Sequence, residues 1–240
     1  MQTTTSEAIK KINVPSASLF LILLLCADFV FIGLHAVNTL TPLLKSALYS
    51  LGSDSSYSEM FQYLKWLWII ILLAYVSRSR RSFGYLAWLL LFVYFLCDDA
   101  LSIHEKVGEH IAGYLTLTPP FGLGLQDLGE LLVSAVAGMV LFSFVTWAYL
   151  QGSQVFRKVS QDLLLLILAL VFFGVFVDMV HAAIHSGWRA DFVLVVIEDG
   201  GEMLVASVIL WYVFLLSLRD ENASAYLCDI LRAALTRRPT

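Results

Sequence analysis

Six runs of apolar residues, separated by short polar turns, leave this chain one class of fold. Hydrocarbon offers no water to backbone N–H and C=O groups, so a crossing segment must satisfy them within itself as a helix, or in a closed barrel. A helical span needs roughly 20 mostly apolar residues. The runs fall at about 17–42, 61–77, 84–106, 126–150, 161–186 and 192–218, the second being short but carrying the unbroken string WLWIIILLAYV. Of 240 residues, 59% are hydrophobic and 14% charged. With a mean hydropathy of +0.80, that excludes a soluble globular domain and a disordered chain. The expected fold is all-α: a six-helix transmembrane bundle over 1–219, followed by a cytoplasmic amphipathic tail over 220–240. In that tail Tyr226, Leu227, Ile230, Leu231, Ala234 and Leu235 recur at helical spacing beside Arg232, Arg237 and Arg238.

Lys10 and Lys11 precede the first run as they would in a signal peptide, but no small-residue cleavage site follows, and the run reads as a span. Six spans put both termini on one side. Lys10, Lys11, Arg78, Arg80, Arg81, Arg157, Lys158, Arg219, Arg232, Arg237 and Arg238 lie on that side, against Lys45, Lys65, Lys106 and Arg189 opposite. The bias predicts cytoplasmic termini in the cell inner (plasma) membrane. Cys26, Cys97 and Cys228 are isolated and give no disulfide framework.

The outer half carries one polar pattern three times. An Asp or Cys stands seven residues before a His in the odd runs: Asp28 and His35, Cys97 and His104, Asp178 and His185. Each following run opens with an acid, two spacers and Glu or Gln: Glu59 and Gln62, Asp127 and Glu130, Asp199 and Glu202. LQDLGELLVSAV (125–136) aligns without a gap on IEDGGEMLVASV (197–208). We therefore read three hairpin repeats, about 17–77, 84–150 and 161–218, the last two being the clear ones. Because odd spans run outward and even spans inward, these groups converge on one leaflet. Residues seven apart on a helix share a face about 10.5 Å apart, so Asp28, Cys97 and Asp178 are expected below their histidines in a polar funnel. Asp98, Asp99, Ser102, Glu105, His181 and Glu198 add to it. The cytoplasmic halves (LLLLILALVFFGVF, GYLAWLLLFVYFL, SVILWYVFLLSL) hold little to carry an ion, which argues against a path through the membrane.

Histidines and carboxylates on neighbouring helices supply metal sites in helical bundles. Asp178, His181 and His185 fall on one stripe, and His104, Glu105, Glu130 and Glu202 can meet them from other spans. Mixed N and O ligands suit a divalent metal: Zn, Fe or Mn. Asp127 and Asp199 stand where a helix cap or a ligand is equally expected, and Asp28, His35 and Glu59 where interhelical hydrogen bonds are. The tryptophans read mostly as interface anchors.

The strings CDDALSIHE and IEDGGEMLVASV resemble those of an uncharacterised group of bacterial multi-pass membrane proteins. More remotely, His181-x3-His185 with an intramembrane Asp and Ser102 is similar to the zinc site of alkaline-ceramidase-like (CREST) membrane hydrolases. Those have seven spans where this chain has six, and Lys106 interrupts the Ser-x3-His element. The resemblance implies zinc held by histidines and water activated beside Asp and Ser. Two functions follow as expectations. One is a metal-dependent hydrolase of a lipid or amphiphile, with His104, His181, His185, Asp178 and Glu105 as metal ligands. Glu130 or Glu202 would be its base and Ser102 an assistant. The other is a proton or cation transporter, channel or sensor in which Asp28, His35, Asp98, Asp127, Glu198 and Asp199 line an outer vestibule. Membrane lipid is the expected surrounding partner. Nucleic acid is excluded, since the basic residues are scattered and topogenic.

Overall fold

The computed structural model describes residues 14–116, 118–119, 123–184 and 187–218; His185 and the tail expected at 220–240 lie outside the described residues. The spans are α1 (Val14–Leu40), α2 (Tyr57–Ser79), α3 (Gly84–Leu101), α5 (Leu125–Gln151), a fifth made of α6 (Gln154–Val171), a π turn (Phe172–Val177) and α7 (Asp178–Ala183), and α8 (Trp188–Leu218); α4 (Ile103–Ala112) is a short amphipathic helix after α3. Six helices are long and apolar enough to cross a membrane. The protein is a polytopic, all-helical membrane protein, and no strand occurs among the described residues.

Local chemistry sets the ends. Ser56 caps α2 by accepting the Glu59 N–H at 3.3 Å, which starts this span at Tyr57 rather than 61, the polar first turn being helical too. Ser153 does the same for α6 through the Phe156 N–H at 3.2 Å, so the fifth span begins at Gln154 rather than 161. The third span does not run to 106. It breaks at Ser102, a non-glycine residue in the left-handed region (φ 48, ψ 51), and resumes as α4. The fifth ends at Ala183, because Ile184 is extended (ψ 97), so the helix stops before His185. Cys97 and His104 therefore do not share one continuous helix face, so the sevenfold spacing does not mean there what it means in the first span.

The core joins α2, α3, α6 and α8 through Trp66, Ile69, Leu73, Trp88, Leu91, Phe92, Leu163, Ile167, Ile209, Leu210 and Val213. α8 packs against α1, α2 and the fifth span, whereas α5 rests on α3 and α4 at the edge. The α4 contact is very close: Gly108 and Gly129 face each other, and a Cβ at Gly129 would overlap the Gly108 carbonyl.

Deep in the apolar interior stands an ion pair. The Lys65 ammonium on α2 meets Asp28 Oδ1 on α1 at 2.8 Å, both side chains being 0% exposed. The same Nζ donates to the Met203 carbonyl of α8 at 2.9 Å and lies 4.8 Å from the centre of the Phe61 ring. Ser207 of α8 donates to the other Asp28 oxygen at 2.5 Å. Asp28 is thus no part of an open funnel, and Lys65, placed by its charge in an outer flank, is an interior residue. Towards the other end, Tyr212 donates to the fully buried Asp162 at 2.9 Å, and Trp88 to Ser160 at 3.0 Å. Polar groups do occur in that half, but Ile69, Leu73, Ile209, Leu210 and Val213, each 0% exposed, fill the layer between. Trp66 and Trp88, 2% and 0% exposed, are buried hydrogen-bond donors, not interface anchors. Trp147 and Trp188, 65% and 60% exposed, keep the expected anchoring position.

Removing one member of a buried pair strands the other charge, at a cost of about 3–5 kcal/mol. Lys65→Met should therefore lower the unfolding midpoint in detergent strongly, and the double variant Asp28→Leu, Lys65→Met should recover most of the loss. A single variant as stable as the wild type would show that the pair does not hold α1, α2 and α8 together.

Candidate functional site at the acidic end

One end of the bundle collects carboxylates from every span except the first, and each has a local reason for its place. On α2, Glu59 accepts the Ser55 N–H and stands 2.5 Å from the Tyr63 hydroxyl, which also lies 3.0 Å from the Asp99 carbonyl. The adjacent acids of α3 point apart, as neighbours on a helix must. Asp99 accepts the Trp66 indole N–H at 2.7 Å. Asp98 turns to the break at Ser102, accepting the His104 backbone N–H at 2.9 Å and its Nδ1 at 3.0 Å. It therefore tethers the first turn of α4. A carboxylate offers only acceptor oxygens, so the His104 Nδ1 carries a proton toward it. This bond holds the His104 pKa up at about 9, while burial pushes the neighbouring Glu105 carboxyl above its usual value.

Of the two roles open to Asp127, the structure shows the cap: Oδ2 accepts the Gly124 N–H at 2.7 Å. Glu130, one turn on, accepts Gln126 Nε2 at 2.8 Å and packs its stem on Gly108. Across the bundle His181 stands between two acids, with Nδ1 2.7 Å from Glu198 Oε2 and Nε2 3.1 Å from Asp191 Oδ1. Asp199 lies against Gly52 of the first loop. The Glu202 carboxylate fills the space over Gly174, where a Cβ would overlap it. Gly174 belongs to the π turn, so the irregular backbone and the missing side chain together seat Glu202; such turns recur at functional sites.

These acids act on one another electrostatically. Asp178 feels Glu198, Glu130 and Asp127, and Glu202 feels Asp199, Asp99, Glu198 and Asp178. Yet the helices that carry them do not all pack. Among the described residues, the hydrogen bonds between α5 and the fifth span lie at the opposite end, where Arg157 and Gln161 hold Tyr149. Asp127, Glu130, Glu198 and Glu202 are nonetheless each within electrostatic reach of Asp178 on the fifth span. Below the acids both helices present apolar side chains outward, Val136, Met139 and Phe144 on one and Leu168, Phe172 and Phe176 on the other.

The expected residues thus divide into groups. Glu130, Asp178, His181, Glu198, Asp199 and Glu202 come together in one cluster. Asp98, Ser102, His104 and Glu105 form the α3–α4 break beside it. Asp28 belongs to the closed ion pair. His35 is buried at 5% exposure, where its Nδ1 accepts the Leu51 N–H at 3.1 Å and its ring stacks on Phe192. His35 thus ties down the loop between α1 and α2. Among the described residues no group of three His, Cys, Asp or Glu side chains is arranged to hold a metal ion. Both ring nitrogens of His181 face carboxylates, and His104 and His181 belong to separate clusters.

Residues 17–218 match a family model described as a domain of unknown function, DUF8692. The chain belongs to that family. No curated protein and no solved structure matches it. In this member of DUF8692, three residues that matter were not singled out from sequence. Asp191, exposed at the start of α8, serves His181; Gly174 makes room for Glu202; and Lys65 neutralises Asp28. A lysine inside an apolar run was the available signal for the last.

His104 gives a pH test. Its folded pKa lies above the unfolded value, so its contribution to stability is fully present below about pH 6.5 and is lost as pH rises through about 9. Thermal unfolding in detergent should show a midpoint that falls over that window, and Asp98→Asn should flatten this part of the profile. An unchanged profile in the variant would remove the Asp98–His104 bond as its cause.

Proposed function

We propose that the chain binds a positively charged amphiphile at the acidic end, which by the distribution of Lys and Arg faces outward, and that protons compete for the same carboxylates. The observation that supports this most is the gathering of Glu130, Asp178, Glu198 and Glu202, with His181 as their basic neighbour, on helices that continue downward as exposed apolar surface. A cationic head would exchange ordered protons and water for carboxylate hydrogen bonds, which are among the stronger ones. An apolar tail would lie along hydrocarbon-facing side chains. The absence of a three-residue metal arrangement among the described residues favours an organic head over a coordinated ion. The buried apolar layer at Ile69, Leu73, Ile209, Leu210 and Val213 favours a receptor or an outer-leaflet carrier over an open channel. Gln62 lies 7% exposed one turn inside Glu59, and neither of its amide atoms has a partner. Such a group marks a place where water or a ligand atom belongs.

The test is calorimetric titration of the protein in nanodiscs with dodecyltrimethylammonium, beside neutral and anionic amphiphiles of the same chain. The cationic probe should bind tightest, and its affinity should weaken in strongly acidic buffer. Glu202→Gln should cost at least about tenfold in affinity, the scale of one charge-assisted hydrogen bond. Equal binding of the neutral probe, or affinity indifferent to pH and to Glu202, would overturn the reading.

A further inference from the structure

At the opposite end the turn between α2 and α3 contains three arginines in four residues, and they are used differently. Arg80 is turned inward, donating to the Leu216 carbonyl of α8 at 2.8 Å and to the Tyr85 hydroxyl at 3.1 Å. Arg78 and Arg81 are exposed and pair with no carboxylate among the described residues. Together with Tyr75 and Ser79 they line an open cleft of about 650 Å³.

The backbone makes this arrangement notable. The Ser82 N–H bonds to the Ser77 carbonyl at 3.1 Å and the Arg81 N–H to the Arg78 carbonyl at 3.3 Å, the two bonds of a helix-ending motif whose left-handed position normally takes glycine. Here that position is Arg81, with φ 48. A bulky residue in the left-handed region costs stability, so its presence calls for a use of the side chain. The turn places the Arg81 guanidinium beside that of Arg78 on one cleft. Two like charges side by side are favourable when an anion lies between them, and a planar guanidinium matches phosphate oxygens two at a time. Ser79 adds a hydroxyl donor. Tyr75, 55% exposed one turn back into the apolar part of α2, sits where a membrane aromatic meets the headgroup layer.

We infer that Arg78 and Arg81, with Ser79 and Tyr75, form a site for a phosphate group, and that its source is the headgroup of an anionic phospholipid in the adjoining leaflet. The ligand's acyl chains would run along the lipid-facing side of α2, where Ile71 and Tyr75 are exposed. A cleft of this size is in the range that holds a headgroup.

Native mass spectrometry of the detergent-purified protein tests this, with short-chain phosphatidylglycerol and phosphatidylcholine as probes and inorganic phosphate alone as a competitor. Phosphatidylglycerol should be retained in preference. Arg78→Gln and Arg81→Gly should each weaken retention about fivefold, the scale of one basic residue against an anionic lipid, while Lys106→Gln at the acidic end should not. Arg81→Gly separates binding from folding, because glycine suits the left-handed position. It should keep or raise the lipid-free unfolding temperature while losing lipid. Equal retention of phosphatidylcholine, or wild-type retention by both arginine variants, would overturn the site. Full displacement of phosphatidylglycerol by inorganic phosphate at matched concentration would overturn the headgroup as the source, leaving a soluble phosphate at the same arginines.

Discussion

The ion pair between Asp28 and Lys65 is the constraint on which the arrangement rests. An isolated charge near the middle of a bilayer costs about 2.5–3.5 kcal/mol on insertion scales, and here two are placed there with no exposure at all. They are tolerable only if α1, α2 and α8 come together, since the complete set of partners comes from all three: Asp28, Lys65, and Ser207 with the Met203 carbonyl. Apolar contacts discriminate weakly between one helix pairing and another in lipid, where side chain and solvent are alike. A charge pair discriminates strongly, because every other pairing strands it. The register of α8 against α2 is fixed in this way, and with it the height at which Glu198, Asp199 and Glu202 stand.

α5 is held by a different device. It has no buried charge to satisfy and sits on α4 through the glycine contact at Gly108 and Gly129, with its bonds to the fifth span confined to the far end. One half of the acidic end is therefore pinned by electrostatics and the other by close backbone packing. The break at Ser102 serves the same geometry. By ending α3 and starting α4 at an angle, it lets Asp98 hold His104 at the rim while Asp99 turns inward to Trp66.

Much of this architecture was legible in the sequence because hydrocarbon leaves few alternatives. Six apolar runs became six spans, the acids did gather at one end, and Asp127 was already recognisable as a cap or a ligand. What failed were inferences that assumed straight, continuous helices. The spacing of Cys97 to His104 looks helical, but Ser102 adopts a backbone angle that composition does not announce, and Ile184 ends the fifth span before His185. Lys65 was misplaced because a residue near a span end in sequence was taken to lie in the flank. Its helix starts four residues earlier than the apolar run, at Tyr57, which carries Lys65 roughly 12 Å below the helix start at 1.5 Å per residue. Trp66 and Trp88 were misread for the same reason: their rings sit inside because Asp99 and Ser160 accept their N–H groups, and such pairing across 33 and 72 residues is a tertiary fact.

α8 ties the polar layers to one another. It carries Glu198 and Glu202 at the acidic end, Met203 and Ser207 at the ion pair, Tyr212 against Asp162, and at its last turns the Leu216 carbonyl that receives Arg80. Between these layers Ile209, Leu210 and Val213 are fully buried, so α8 cannot slide at one end without breaking a directional bond at another. A helix with polar contacts at four heights behaves as a rigid element whose displacement is shared by all of them. Glu198 and Glu202 therefore stand on the same helix that the arginine turn grips from below.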